Sequence, residues 1–212
     1  LPNPNKLLSR QAIESTKILA RDGTTVLYEV HGEVNRTLVN LDQISKDLQN
    51  ATIAIEDKDF YKHRGISITG LIRSVIVDVL AGEKKQGGST ITQQFVKNAV
   101  LSRDKSYSRK LKEIILSIEI EAKFNKDDIL KLYLNEIPYG RNAYGIESAS
   151  RAYFGKSAKD ISLAEAAYLA AIPQAPTFYN PFGPNRDALD RRKDAVLLSM
   201  RDLSYINNDQ YE

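Results

Sequence analysis

Apolar residues recur at helical spacing through most of this chain. The pattern predicts helices at about 45–56, 67–81, 90–100, 106–123, 127–135, 144–152, 162–172 and 186–202. Ahead of them the alternation is that of strands. Residues 17–20 and 25–30 flank Arg21-Asp22-Gly23, a hairpin turn, and 37–39 reads as a further short strand. Asn125 with Asp128, and Ser162 with Glu165, have the spacing of capping boxes. Pro173 closes the helix before it and opens a proline-rich loop over 173–184. The expected class is mainly α with a small N-terminal β element.

Composition narrows the class without naming a function. With 212 residues, 42% hydrophobic and 27% charged, the chain can bury one good core, with a smaller lobe attached. A net charge of +3 is too small to argue for nucleic acid as a partner. The cations are uneven, however: Arg103, Lys105, Arg109, Lys110 and Lys112 face only Asp104 over 103–112. Such a patch suits a phosphate or an anionic membrane surface, or is simply a solvated helix face. Cysteine is absent, which excludes disulfides and thiolate zinc sites. No run of about 18 apolar residues is present to span a membrane. The chain opens on LPNPN and stops inside NNDQYE, which reads as a piece of a longer protein.

Chemistry concentrates in three stretches. In the first, 86–98, Gly87 and Gly88 let backbone approach a bulky ligand, and Ser89 is positioned to cap the helix that follows. Ser89, Gln93 and Lys97 are four apart and share a face, with Gln94 and Asn98 beside them; Ile91, Phe95 and Ala99 make the apolar stripe. An ordinary amphipathic helix has the same stripe, but rarely so many amides on its other face. In the second, 56–65, Glu56 follows an apolar run, so a carboxylate is delivered to the edge of a core where a general base can work, with Phe60 one turn on as a pocket wall. Asp57 and Asp59 also fit an Asp-x-Asp metal and sugar-nucleotide pattern, without the βαβ context that chemistry needs. His63 reads as the pin of a turn and His31 as structural; their spacing makes a catalytic zinc unexpected. In the third, Leu111, Ile114, Ile115 and Ile118 define the expected buried stripe, leaving Glu113 off it on the face of Arg109. Two acids about a cationic cleft suggest glycosyl chemistry with a phosphate leaving group.

Five segments in order carry a resemblance: EDKDFYKHRG at 56–65, GGSTITQQFVKN at 87–98, RKLKE at 109–113, ILKLYLNEIPYG at 129–140 and RRKDAVLLSM at 191–200. Together they resemble the motifs of the peptidoglycan glycosyltransferase domain (glycosyltransferase family 51) of class A penicillin-binding proteins and monofunctional transglycosylases. The hairpin region resembles the segment that precedes this domain in the bifunctional proteins. The resemblance implies a lysozyme-like, two-lobed, mainly α fold with a membrane-facing jaw. It implies polymerisation of lipid II into glycan strands at the extracytoplasmic face of the cell membrane, with an anchor upstream. It makes Glu56 the base that deprotonates the acceptor hydroxyl and Glu113 the second acid, and it leaves room for a divalent cation, Mg or Mn, near Glu113. Phe60, Ser89, Gln93, Gln94, Lys97, Asn98, Lys105 and Arg109 become substrate-binding residues, with Lys97, Lys105 and Arg109 neutralising the pyrophosphate.

On this reading residues 1–44 form a linker and hairpin, 45–205 the glycosyltransferase domain, and 206–212 the start of a following segment. Lys131 replaces the family's usual glutamate and Lys105 a frequent arginine, which keeps the cation but loses the bidentate fork. A lysozyme-like hydrolase and a catalytically silent docking domain are the alternatives. Ser102 and Lys105 have Ser-x-x-Lys spacing without the partners of a transpeptidase; such a domain would lie downstream.

Overall fold

The computed structural model describes residues 16–19, 26–30, 35–67, 88–99 and 107–212. Two short strands, β1 (Thr16–Leu19) and β2 (Val26–Val30), pair antiparallel with a register shift at Ile18/Leu19. Strand β3 (Asn35–Arg36) leads through a 3₁₀ turn (Leu41–Gln43) into helix α1 (Lys46–Glu56). Helices α2 (Ile91–Ala99), α3 (Tyr107–Lys123) and α4 (Lys126–Glu136) follow. A small hairpin, β4 (Pro138–Gly140) and β5 (Ala143–Tyr144), leads to α5 (Ile146–Phe154), α6 (Leu163–Ala171), α7 (Arg186–Asp202) and the short α8 (Asn208–Tyr211). The fold is mainly helical, as the periodicity predicts.

Local chemistry sets the helix ends. Ser45 caps α1 by accepting from the Leu48 amide, a contact worth about 1 kcal/mol. Ser162 and Glu165 make a reciprocal capping box at α6, and Asn125 accepts from the Asp128 amide at α4. From α1, Leu48, Ala51, Ile53 and Ala54 are buried in one core with Ala166, Ala167 and Leu169 of α6 and Leu189, Val196 and Met200 of α7. Ile206 and Tyr211 pack against the same core.

Two glycines are required by close approach. Gly65 has φ +85°, and a Cβ there would lie 2.9 Å from the Ser117 backbone, so the loop after α1 rests directly on α3. Gly145 has φ +79°, and its Cβ would lie 2.7 Å from the Asn135 carbonyl oxygen, which sets the hairpin against α4.

Three expectations are corrected. The strand expected at 37–39 lies instead at Asn35–Arg36, paired in parallel with β5. The amides of Thr37 and Val39 donate to Ser148 Oγ and Asn135 Oδ1, both at 2.9 Å, so side chains replace a ladder. Thr90, not Ser89, caps α2: its hydroxyl accepts from the Gln93 amide while Gln93 Oε1 accepts from the Thr90 amide. Most consequential, α3 is turned the other way. Leu111, Ile115 and Ile118 are 60%, 38% and 47% exposed, whereas Glu113, Leu116, Ser117 and Ile120 are buried. Apolar spacing identifies a helix face but not whether that face meets the core. The helix expected at 67–81 lies, but for residue 67, outside the described residues, as do His31, Gly87, Ser102 and Lys105.

Candidate active site

Glu56 is the last residue of α1, at the negative end of the helix dipole, where a carboxylate needs compensating donors. It has two. Gln94 Nε2 donates to Oε2 at 2.7 Å, and Arg192 Nη2 donates to Oε1 at 3.3 Å. The side chains of Glu56 and Arg192 are only 9% and 16% exposed. Arg192 also donates through Nε to the Ala171 carbonyl at 2.9 Å, and its guanidinium lies 5.4 Å from the centre of the Tyr179 ring. One arginine on α7 thus ties the carboxylate to the carbonyl end of α6.

The neighbouring Asp57 does different work. Its Oδ2 accepts from His63 Nε2 at 2.8 Å and from the Ile91 amide at 3.1 Å, at the positive end of α2. Thr90 Oγ1 donates to the Gly65 carbonyl at 2.7 Å. These contacts lock the loop 57–65 to α2, so Glu56 and Gln94 meet in fixed register. With Asp57 so engaged and Asp59 paired to Lys62, no Asp-x-Asp metal pair forms.

Across the cleft, α3 carries Glu113 on its buried face, 2% exposed. Lys110, one turn earlier, pairs with Glu113 and donates to Ser89 Oγ at 3.1 Å. Lys110 is thus a cation paired with this acid, one that sequence spacing did not single out. Among the described residues no group of three or more His, Cys, Asp or Glu side chains gathers to hold a metal. A single carboxylate already bound to an ammonium does not fit a hard divalent cation, which takes several oxygen ligands.

A cleft of about 340 Å³ joins these groups. It is lined by Glu56, Ser89, Gln94, Lys97, Asn98 and Glu113 together with Ile137, Pro138, Pro173, Gln174 and Pro176. The structure therefore brings six of the residues singled out from sequence to one cavity. Phe60, Gln93 and Arg109 are not in its lining. Phe60 is fully buried beneath Lys126, whose Nζ lies 4.5 Å from the ring centre, so it supports the loop rather than walling the cleft. Gln93 is buried and used in the cap of α2. Lys131 lies on the surface of α4, 4.0 Å from Asp128, so its reversed charge meets an acid.

Sequence reasoning missed Arg192, the pairing of Lys110, and the proline-rich wall. The wall had a signal, since an ordered loop dense in proline must pack on something. Arg192 had none by spacing, because its partner is 136 residues away.

Comparison with known proteins agrees with this architecture. Residues 23–201 match the family model described as Transglycosylase, and the chain belongs to that family. It is 44% identical over 212 residues to penicillin-binding protein 1A of Aquifex aeolicus, covering 100% of this chain and 29% of that protein. It is 44% identical over 193 residues to penicillin-binding protein 1F of Bacillus subtilis, covering 91% of this chain and 27% of the relative. The crystal structure of penicillin-binding protein 1A from Haemophilus influenzae matches with a TM-score of 0.52 at 26% identity, over 93% of this chain and 19% of that one. The chain thus spans less than a third of the length of these relatives.

Proposed function

We propose that this domain is a peptidoglycan glycosyltransferase that polymerises lipid II into glycan strands. The observation that carries the reading is the cleft whose lining brings Glu56 and Glu113 together with Ser89, Gln94, Lys97 and Asn98. Glu56 takes the proton from the 4-hydroxyl of the acceptor's N-acetylglucosamine. That oxygen attacks the anomeric carbon of the lipid-linked N-acetylmuramic acid on the growing chain, and the bond from that carbon to the pyrophosphate oxygen breaks with inversion. Undecaprenyl pyrophosphate leaves. A pyrophosphate leaving group needs cations rather than a proton donor; Lys97, which lines the cleft, and Lys110, held beside it by Glu113 and Ser89, meet this need, with Arg109 and Lys105 as further candidates. Glu113 holds Lys110 on the donor side.

The domain unit is residues 45–205, working on the extracytoplasmic face of the cell membrane. No helix among the described residues is long and apolar enough to cross a membrane. The exposed stripe of Leu111, Ile115 and Ile118 on α3 supports contact with a membrane surface, with basic residues of the same helix beside it. Lipid II turnover by the wild type and by Glu56→Gln tests the reading. Polymer from the wild type and none from the variant is expected. Cleavage of purified glycan without lipid II, or wild-type rates from Glu56→Gln, overturns it.

A further inference from the structure

Behind Glu56 lies a residue that the cleft does not expose and that the reaction reading does not use. Tyr133, on α4, is fully buried, and its hydroxyl donates to Gln94 Oε1 at 3.2 Å. The other end of the same amide donates to Glu56 Oε2 at 2.7 Å. An ionised carboxylate only accepts hydrogen bonds, so Gln94 must turn its NH₂ toward Glu56 and its carbonyl away. That carbonyl meets the hydroxyl of the fully buried Tyr133, which supplies its donor.

We infer that Tyr133 is a positioning residue for the reaction: through Gln94 it fixes the amide that aims the Glu56 carboxylate at the acceptor hydroxyl. The chain of contacts is Tyr133 to Gln94 to Glu56, with Arg192 holding the second carboxylate oxygen. Burial, reinforced by the nearby Glu56 carboxylate, raises the Tyr133 phenol well above its ordinary range, so it remains a donor. Without the hydroxyl, the Gln94 carbonyl loses its partner and the amide is free to turn. The carboxylate then keeps one directed donor instead of two, and the fraction of molecules with the base correctly aimed falls. A base misplaced by a fraction of an ångström loses rate without losing substrate. Tyr133 touches no substrate, so its contribution appears in kcat and not in KM.

This inference rests on Glu56 being the base, and the test keeps the two apart. Lipid II polymerisation is measured for the wild type, Tyr133→Phe, Gln94→Ala, the double variant and Glu56→Gln, with thermal denaturation of each. Tyr133→Phe keeps the buried ring and removes only the hydroxyl. Its kcat is expected to fall about ten-fold, the effect of one hydrogen bond, with KM unchanged. In the Gln94→Ala background the same substitution is expected to change kcat less than two-fold, because the route through the amide is already gone. If Tyr133→Phe lowers kcat equally in both backgrounds, or lowers only the melting temperature, the inference fails while an inactive Glu56→Gln leaves the base intact. If Glu56→Gln polymerises lipid II at the wild-type rate, the base assignment fails and the positioning role falls with it.

Discussion

Arg192 Nη2 lies 3.3 Å from Glu56 Oε1, although 136 residues separate them. The contact joins the end of α1 to the middle of α7, and the same guanidinium accounts for the Ala171 carbonyl. Arg192→Gln is expected to weaken the hold on Glu56 by about 1.5–3 kcal/mol, the scale of a hydrogen bond to a charged group. Turnover should fall accordingly, by roughly ten-fold or more. Arg192→Lys keeps the charge but cannot reach both acceptors, so it should recover only part of the rate. Steady-state lipid II kinetics on both variants, with melting curves, check this. Equal activity of the glutamine and lysine variants would show that charge is irrelevant there.

The cations of the cleft differ in what they hold. Lys97 is exposed at the cavity, whereas Lys110 is already engaged with Glu113 and Ser89. Lys97→Ala should therefore raise KM or reduce kcat/KM for lipid II by about ten- to a hundred-fold while leaving the fold stable. Lys110→Ala should do the same and also lower the melting temperature, since Glu113 is left buried without its cation. Binding of fluorescently labelled lipid II gives an activity-independent check. Unchanged affinity in both variants would remove these cations from ligand binding.

Much of this site was legible because its signals are short-range. The helix of Gln94, Lys97 and Asn98, the acid at the end of an apolar run, and the box of Ser162 and Glu165 each declare themselves within a few residues. The facing of α3 was not legible. Leu111, Ile115 and Ile118 obey the helical period, yet the core takes Leu116, Ser117 and Ile120 together with the acid. Glu113 is buried with Lys110 as its partner, and only tertiary context reveals which face of the helix that is. Phe60 misled for a related reason: one turn from Glu56 in sequence places a ring near the cleft, but the turn after α1 carries it inward. The links of Arg192 and Tyr133 join distant parts of the chain and leave no periodic trace.

The outward stripe of α3 makes a prediction of its own. Replacing Leu111, Ile115 and Ile118 together by serine should leave the fold intact, because all three side chains are exposed. Binding to vesicles containing anionic lipid should weaken, by about 1 kcal/mol or more per side chain if each buries in the interface. Sedimentation with vesicles measures the change. Identical vesicle binding by the triple variant would remove this face from the membrane contact.

Gly65→Ala should be far more damaging than an exposed alanine substitution. The residue has φ +85°, and the added carbon would meet the Ser117 backbone at 2.9 Å. The conformation alone costs about 1–2 kcal/mol, and backbone cannot retreat as a side chain can. Because the loop 57–65 holds α2, the expected loss is in both melting temperature and turnover. A variant with wild-type stability would show that this approach is loose in solution.

Alkaline pH probes the raised phenols of the structure. Burial raises the phenol of Tyr61 from 10.0 to about 12, with its hydrogen bond to Asp127 adding to the shift. Burial and the Glu56 carboxylate raise Tyr133 and Tyr139 as well. A group whose folded value lies above its unfolded value binds its proton more tightly when folded. The stability it contributes is therefore fully present below pH 10 and drains away as pH rises through the folded value. For Tyr61 that window runs from 10.0 to about 12. Tyrosinate absorbance of the folded protein should thus show these phenols titrating late, and only when denaturation sets in for the two buried ones. The denaturant midpoint should be insensitive to these phenols up to about pH 10 and fall steadily beyond it. Tyr61→Phe should remove the late-titrating partly exposed phenol and make the decline shallower. If every tyrosine of the folded protein titrates near 10 with no loss of stability, the burial of Tyr133 and Tyr139 near Glu56 is not maintained in solution.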